Sequence, residues 1–541
     1  MLRAKGACAM SLRRLAVLYG LLLAAFFGLL CRLYVLAQNT AYAQKAQAQT
    51  VTTLPLPVQR GDFYDCRGER LTGRQSVWYA LCTPGAENYA LLFDYADASG
   101  QAELYRRRSA AAPFLLRVDR DLTDAGICTV AAEQRYSPWQ MCAHLIGYVD
   151  SSGHGVSGLE AAFDEQLTGS GAQSYLQCVT NAQGRLMGDT APKLYAADSG
   201  SRSVMLTIDA RVQAACEGIA ADALSTGCIL VLDTQTAKVR ASVSMPDYDP
   251  DDVGKSIAAQ DTSLVDRVMN AYNVGSVFKP VLAAAALEEG QSSLTIECVG
   301  YTEVGGHIYR CAGGVPHGSV DLEAALCKSC NCYFIAMGRA LGPRTLYRWA
   351  EAFGFGAPDY LAGGMKASAG NLPDAGTLED SGQLSNFSFG QGELLATPVQ
   401  VAGMMNTIAC GGVYRTPSFL EETFDASGSA ENLYRPQERR VLREQTAETL
   451  RAMLVQVVEN GLGREAKPEE GSAGGKTGTA QTGRFDAAGS EYKDLWFAGF
   501  YPAGAPRWTI VVMQDDQTRA KVSSAAVFAR VCSALALLEN D

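Results

Sequence analysis

The chain has 541 residues, with 46 Lys+Arg against 57 Asp+Glu, so its formal net charge is −11. Hydrophobic residues make up 48% and charged residues 19%, a balance that builds ordinary cores and excludes wholesale disorder, a collagen-like fibre and a small disulfide scaffold. The acidic excess leaves no surplus of Lys/Arg to displace phosphate counterions, so no nucleic-acid partner is expected.

Arg3, Lys5, Arg13 and Arg14 precede Leu15–Cys31, a run without a charge. At about 1.5 Å per residue it gives roughly 25 Å of helix, the short end of a membrane span. Arg32 can snorkel at the boundary while Leu33–Ala37 lengthens the apolar stretch. The expectation is a cytoplasmic tail over 1–14, an anchor over 15–37 and the rest of the chain outside the cell. A cleaved signal peptide is the competing reading, because Ala41-Tyr42-Ala43 resembles a cleavage site; the length of the apolar run favours a retained anchor.

Ala41–Thr50 reads as a polar stalk. From about Leu54 to Ala191 short β-like runs alternate with polar stretches and turn signals, which suggests a mostly-β domain over 38–200. The small and polar residues of Pro192–Ser201 mark its boundary with a second domain, 201–541. There Val204–Ile208 and Cys228–Leu232 read as strands, with a helix between them over Ala210–Leu224. Val277–Glu288 and Leu322–Gly338 read as helices. Leu495–Tyr501 and Trp508–Gln514 read as strands joined by a turn over Pro502–Pro506. Val527, Phe528, Val531, Leu535 and Leu538 repeat at the spacing of an amphipathic helix. Antiparallel strands covered by helices define an α+β domain.

Sixteen cysteines in an exported chain invite disulfides. Cys298 and Cys311 flank a Gly305-Gly306 turn between two β-like runs and could face each other across a hairpin as a disulfide; buried thiols are the alternative. Cys327-x-x-Cys330-x-Cys332 lacks a second paired half at zinc-site spacing, so no metal is assigned.

Three short motifs occur in order: Ser276-Val-Phe-Lys279, Ser329-Cys-Asn331 and Lys476-Thr477-Gly478 followed by Thr479. Together they match the S-x-x-K, S-D-N and K-T-G set of serine enzymes that react with penicillin. On a helix start Ser276 and Lys279 share one face. A serine hydroxyl attacks an amide only when something removes its proton. Lysine does so once its pKa is lowered, and a second cation such as Lys476 pushes in that direction. Gly478 removes bulk from a strand along which a peptide could lie. Ser329 supplies a hydroxyl relay and Asn331 an amide to hold the substrate. A Ser-His-Asp triad competes poorly: no G-x-S-x-G surrounds Ser276, and His317 reads as structural rather than as a base.

These residues resemble the class B penicillin-binding proteins, the peptidoglycan D,D-transpeptidases of division, elongation and sporulation. Arg60-Gly61-Asp62, His144-Leu-Ile-Gly147, Gly158-Leu159-Glu160 and Leu167-Thr-Gly169 are similar to the family's segments outside the membrane and in its pedestal domain. Phe389-Gly390-Gln391-Gly392 and Trp496-Phe497-Ala498-Gly499 are similar to later segments. The resemblance implies an elongated pedestal over 38–200 and a transpeptidase domain over 201–541. It implies Ser276 as the acylated nucleophile, Lys279 as its base, Ser329 as proton relay and Asn331 as a positioning amide. Lys476, Thr477 and Thr479 would contact the substrate terminus, and the N–H groups of Ser276 and Thr479 would form the oxyanion hole. The implied substrates are D-Ala-D-Ala stem peptides, with β-lactams as acylating inhibitors, no cofactor, and a membrane-embedded glycan polymerase of the SEDS type as partner. Val274, Asp266 and Asp251 depart from the residues usual at those positions. A β-lactamase, a D,D-carboxypeptidase of the same fold and a non-catalytic envelope scaffold are the alternatives.

Overall fold

The computed structural model describes residues 12–40, 51–181, 185–187, 191–431 and 435–540. Arg3, Lys5, Cys8, the stalk over 41–50 and the candidate cleavage site at 41–43 lie outside the described residues. Leu12–Gln38 is a single helix of 27 residues with no buried side chain. At about 1.5 Å per residue it is roughly 40 Å long, and it is apolar enough to cross a membrane.

The chain divides into two compact units. The smaller comprises Met1–Pro57, Ser76–Ala132 and Gln173–Ala197; the larger comprises Val58–Gln75, Glu133–Ala172 and Asp198–Asp541. The region expected as one consecutive domain over 38–200 therefore splits its contacts between both units. Within the smaller unit, Val51–Pro55, Tyr175–Val179 and Lys193–Tyr195 form one antiparallel sheet. Gln75–Cys82 is the central strand of another, between Phe114–Val118 and Thr129–Gln134. The helices Ala86–Phe93 and Ala98–Arg106 bring Leu92 and Leu104 into a core with Phe114 and Leu116.

An ion-pair network joins 58–75 to 133–172, and the strand Phe63–Tyr64 ties both to the rest of the larger unit by pairing with Val204 and Met205. Arg60 binds Glu160 at 2.8 Å and Asp164 at 2.6 Å, and Arg135 reaches the other oxygen of Glu160 at 2.6 Å. Arg60 and Glu160 are almost fully buried, so each charge depends on its partners for the solvation it has lost. Gly61 is packed so closely that a Cβ there would lie 1.9 Å from the Arg202 carbonyl oxygen.

The larger unit is built on a five-stranded antiparallel sheet in the order Val239–Met245, Gly227–Asp233, Trp508–Gln517, Glu491–Tyr501, Gly474–Phe485. The central strands are buried on both faces, which is why Cys228–Leu232 reads as an unbroken apolar run. Ile229, Val231, Ile510 and Val512 face one core, with Val212 and Cys216 of helix Ala210–Ala223 and Phe528 and Val531 of helix Ser524–Asn540. Leu230, Leu232, Val511 and Met513 face the other, against Met404, Met405 and Leu454. Each such side chain contributes about 1.5–3 kcal/mol of burial, and the edge strand Gly474–Phe485 pairs antiparallel with Glu491–Tyr501.

Candidate active site

The sequence Gly275–Phe278 forms a 3-10 turn that runs into the helix Lys279–Glu288, whose residues Lys279 to Ala286 are all buried. Pro280 suits the first helical turn because its missing N–H has no intrahelical acceptor there. Gly275 adopts φ +61° and donates its N–H to Gly390 O at 2.7 Å; a Cβ on Gly275 would meet Thr479 O at 2.8 Å. The turn carrying Ser276 is thereby pressed against the edge strand.

That strand alternates as its period of two requires: Lys476, Gly478 and Ala480 are buried, while Thr477 and Thr479 face outward. Gly478 corrects the reason given for it in the sequence. A Cβ there would meet Val277 Cγ1 at 2.8 Å and Val274 O at 3.1 Å. The glycine makes room for the serine turn on its buried side rather than for a peptide on its open side.

The expected helix Leu322–Gly338 is two helices, Leu322–Cys327 and Asn331–Leu341. They are separated by a break in which Ser329 takes φ +50°. A non-glycine residue in this left-handed region costs about 1–3 kcal/mol and persists only where its surroundings hold it. Here Lys279 Nζ donates to Ser329 O at 2.8 Å, to Ser329 Oγ at 3.1 Å and to Asn331 Oδ1 at 2.8 Å. Asn331 Nδ2 donates to Arg310 O at 2.9 Å, so both ends of the amide are fixed. Lys476 Nζ donates to Ser329 Oγ at 3.1 Å and to Thr477 O at 3.1 Å.

Both lysines are fully buried without a carboxylate among these contacts. Burial, and then the charge of Lys476, push Lys279 well below the ordinary lysine value. Burial alone pushes Lys476 down to about 7. Ser276, half-buried, opens with Ser329, Asn331, Thr477 and Thr479 onto one cleft of about 730 Å³.

All eight residues singled out by the three motifs thus lie at one place, Gly478 as packing. Lys328, exposed in the turn beside Ser329 on the cleft wall, carries no local signal in the sequence. Gln391 also lines the cleft, and it lies in the segment Phe389–Gly392 that the resemblance had marked only as a likeness. Asn273, which no motif named, accepts the Trp496 indole N–H at 2.8 Å through its carbonyl and ties the approach to Ser276 to the sheet. Cys298 and Cys311 do face each other, but not as a cross-strand pair: Cys298 pairs with Gly318, and the hairpin begins at Tyr301 opposite Arg310. Their sulfurs are 3.8 Å apart and both are free thiols, so the disulfide considered from sequence is not formed in this structure.

This arrangement gathers the serine turn, two buried lysines and the edge strand that the three motifs carry. Residues 227–533 match the family described as the penicillin binding protein transpeptidase domain, and the chain belongs to that family. Penicillin-binding protein PbpB of Mycolicibacterium smegmatis is 32% identical over 412 residues, covering 72% of this chain and 61% of that protein. Stage V sporulation protein D of Bacillus subtilis is 29% identical over 407 residues, with the same two coverages. The chain thus spans about three fifths of the length of these curated relatives. Among solved structures, penicillin binding protein 3 of Mycobacterium tuberculosis is similar at TM-score 0.66 and 25% identity, covering 90% of this chain and 97% of that one.

Proposed function

We propose that the protein is a peptidoglycan D,D-transpeptidase of the class B penicillin-binding type, acting through an acyl-enzyme on Ser276. The observation that carries this reading is the position of Lys279: a buried lysine with a depressed pKa, three residues from Ser276 and bonded to both Ser329 and Asn331. A neutral Lys279 takes the Ser276 proton as the hydroxyl attacks the penultimate D-Ala carbonyl. The negative charge that develops on that carbonyl oxygen is met by the N–H groups of Ser276 and Thr479. The proton travels by way of Ser329 to the departing D-Ala amine. Asn331 holds the donor peptide's amide, and Thr477, Thr479 and protonated Lys476 receive its terminal carboxylate. The amine of a neighbouring stem peptide then resolves the acyl-enzyme into a cross-link. A β-lactam enters the same path and stalls at the acyl stage.

In this reading the helix Leu12–Gln38 is a single-pass anchor with its N-terminus in the cytoplasm, and residues after it work outside the cytoplasmic membrane. The four cations before the apolar run support that orientation. A membrane-embedded SEDS-type glycan polymerase is the proposed partner, and the region 38–200 the proposed pedestal.

The test is intact-mass analysis of the chain incubated with benzylpenicillin for hours, beside Ser276→Ala. The expected result is a lasting adduct on the wild type alone. An adduct that vanishes within seconds while hydrolysed drug accumulates would assign a β-lactamase or carboxypeptidase instead. No adduct from a folded sample, and no D-Ala release from a stem pentapeptide, would leave only the scaffold reading.

A further inference from the structure

The sequence offered Cys327, Cys330 and Cys332 as an incomplete metal motif with no second half nearby. The fold supplies that half from elsewhere. Cys298 ends the strand Ile296–Cys298, Cys311 follows the strand His307–Arg310, and His317 precedes the strand Gly318–Val320. The hydrogen bonds from Cys311 N to Gly300 O at 3.0 Å and from His317 N to Cys298 O at 3.0 Å fold this excursion on itself. Cys330 reaches the same point from the break before the helix Asn331–Leu341. Cys327 does not.

The donor atoms of Cys298, Cys311, His317 and Cys330 all lie within 4.8 Å of one another. Cys298 Sγ is 3.8 Å from Cys311 Sγ, Cys311 Sγ is 3.8 Å from Cys330 Sγ, and Cys298 Sγ is 3.5 Å from His317 Nδ1. Four ligands at the corners of a tetrahedron, with metal–sulfur bonds of about 2.3 Å, have edges of about 3.8 Å between sulfurs and somewhat less from sulfur to nitrogen. The three cysteines are buried. A Cys298–Cys311 disulfide alone would leave Cys330 and the His317 imidazole aimed at a bond that needs neither.

We propose that Cys298, Cys311, His317 and Cys330 bind one structural zinc ion that fastens the hairpin Tyr301–Arg310 to the segment carrying Ser329 and Asn331. Three thiolates and an imidazole suit zinc among the available divalent metals, and a closed four-ligand set is structural rather than catalytic. Cys332 Sγ, 3.6 Å from Cys311 Sγ, packs beside the set without completing it. Cys330 lies between Ser329 and Asn331, the two residues that Lys279 binds, and Asn331 also leans on Arg310 O at the end of the hairpin. The ion is a positioning device: it ties the excursion 298–317, one wall of the cleft, to the second motif. Only its effect on acylation rests on the function proposed above; metal binding does not.

The test uses the full chain, purified in detergent from zinc-supplemented cells, desalted and assayed for metal. One zinc per chain is expected. Cys298→Ser and Cys330→Ser should lower loading at least severalfold, while Cys327→Ser keeps it. Stripping the wild type with a chelator should lower Tm and slow penicillin acylation, and zinc chloride should restore both. If the variants do not fold, cobalt added to stripped wild type reads the ligands directly: thiolate-to-cobalt charge-transfer bands support the site. Loss of two hydrogens in the non-reduced mass, mapped to Cys298 and Cys311, overturns it. So does a wild type that holds no zinc and gives no thiolate bands with cobalt, or loading indifferent to Cys298 and Cys330. Zinc present in a chain that no penicillin acylates would sink the proposed function and leave the site standing.

Discussion

Lys279 and Lys476 donate to the same atom, Ser329 Oγ, each from 3.1 Å. Two cations on one neutral oxygen in a buried setting cannot both stay charged at ordinary lysine pKa values. Lys279 is lowered by burial and by the field of Lys476, Lys476 by burial. The pair therefore sorts itself into a base and a cation.

The sign of the pH dependence follows. Lys279 must be neutral to accept a proton, so the rate rises as pH climbs through its lowered pKa. Lys476 must be charged to hold a carboxylate, and it loses its proton at about 7 in the free protein. The second-order rate of benzylpenicillin acylation should therefore fall on both sides of a maximum near or below neutrality. Stopped-flow or quench measurements across the range check this; a rate still climbing well into the alkaline region would contradict it.

Lys279→Ala removes the base while leaving Ser276 in its turn. Acylation should drop by about 10²- to 10⁴-fold, measured by the same assay. A drop of less than about tenfold would take the proton-accepting role from Lys279.

Gly478→Ala drives a methyl group to 2.8 Å from Val277 Cγ1. Overpacking of this kind costs about 1–3 kcal/mol, and here it also pushes the turn that aims Ser276. Urea unfolding should register the loss, with acylation slowed beyond what stability explains. Gly483→Ala, further along the strand where no atom lies within 4 Å, adopts φ +70° and should lose stability without slowing the acylation of folded protein.

Glu160→Gln leaves Arg60 and Arg135 without their shared anion. Breaking a buried pair costs about 3–5 kcal/mol, so Tm should fall sharply although position 160 is remote in sequence from the motifs. A shift of only a degree or two would mean that Asp164 and Asp62 suffice.

Much of this was legible in the sequence where the signal is local. The run Cys228–Leu232 is apolar without alternation because both its faces are covered, and the three motifs name their residues outright. The break at Ser329 was not legible: Leu322 to Gly338 keeps helical periodicity across it, and only the tertiary contacts of Lys279 explain why the helix stops and restarts. The gathering of Cys298, Cys311 and His317 around Cys330 was illegible for the same reason, since spacing along the chain says little about four donors drawn from four separate elements. The two-unit division escaped too, because Arg60 finds Glu160 a hundred residues away.

The order of strands in the large sheet sets a timetable for folding. Gly227–Asp233 pairs with Val239–Met245 early in the domain, but its other edge waits for Trp508–Gln517, with Ile229 opposite Val512. A chain made from its N-terminus must therefore carry an open strand edge, and half a core, until Trp508–Gln517 has been made. Such edges invite pairing with other chains. The helix Ser524–Asn540, which covers the sheet beside Ala210–Ala223, follows that strand in the chain. Truncating it should harm yield through aggregation during biogenesis well before any question of chemistry arises.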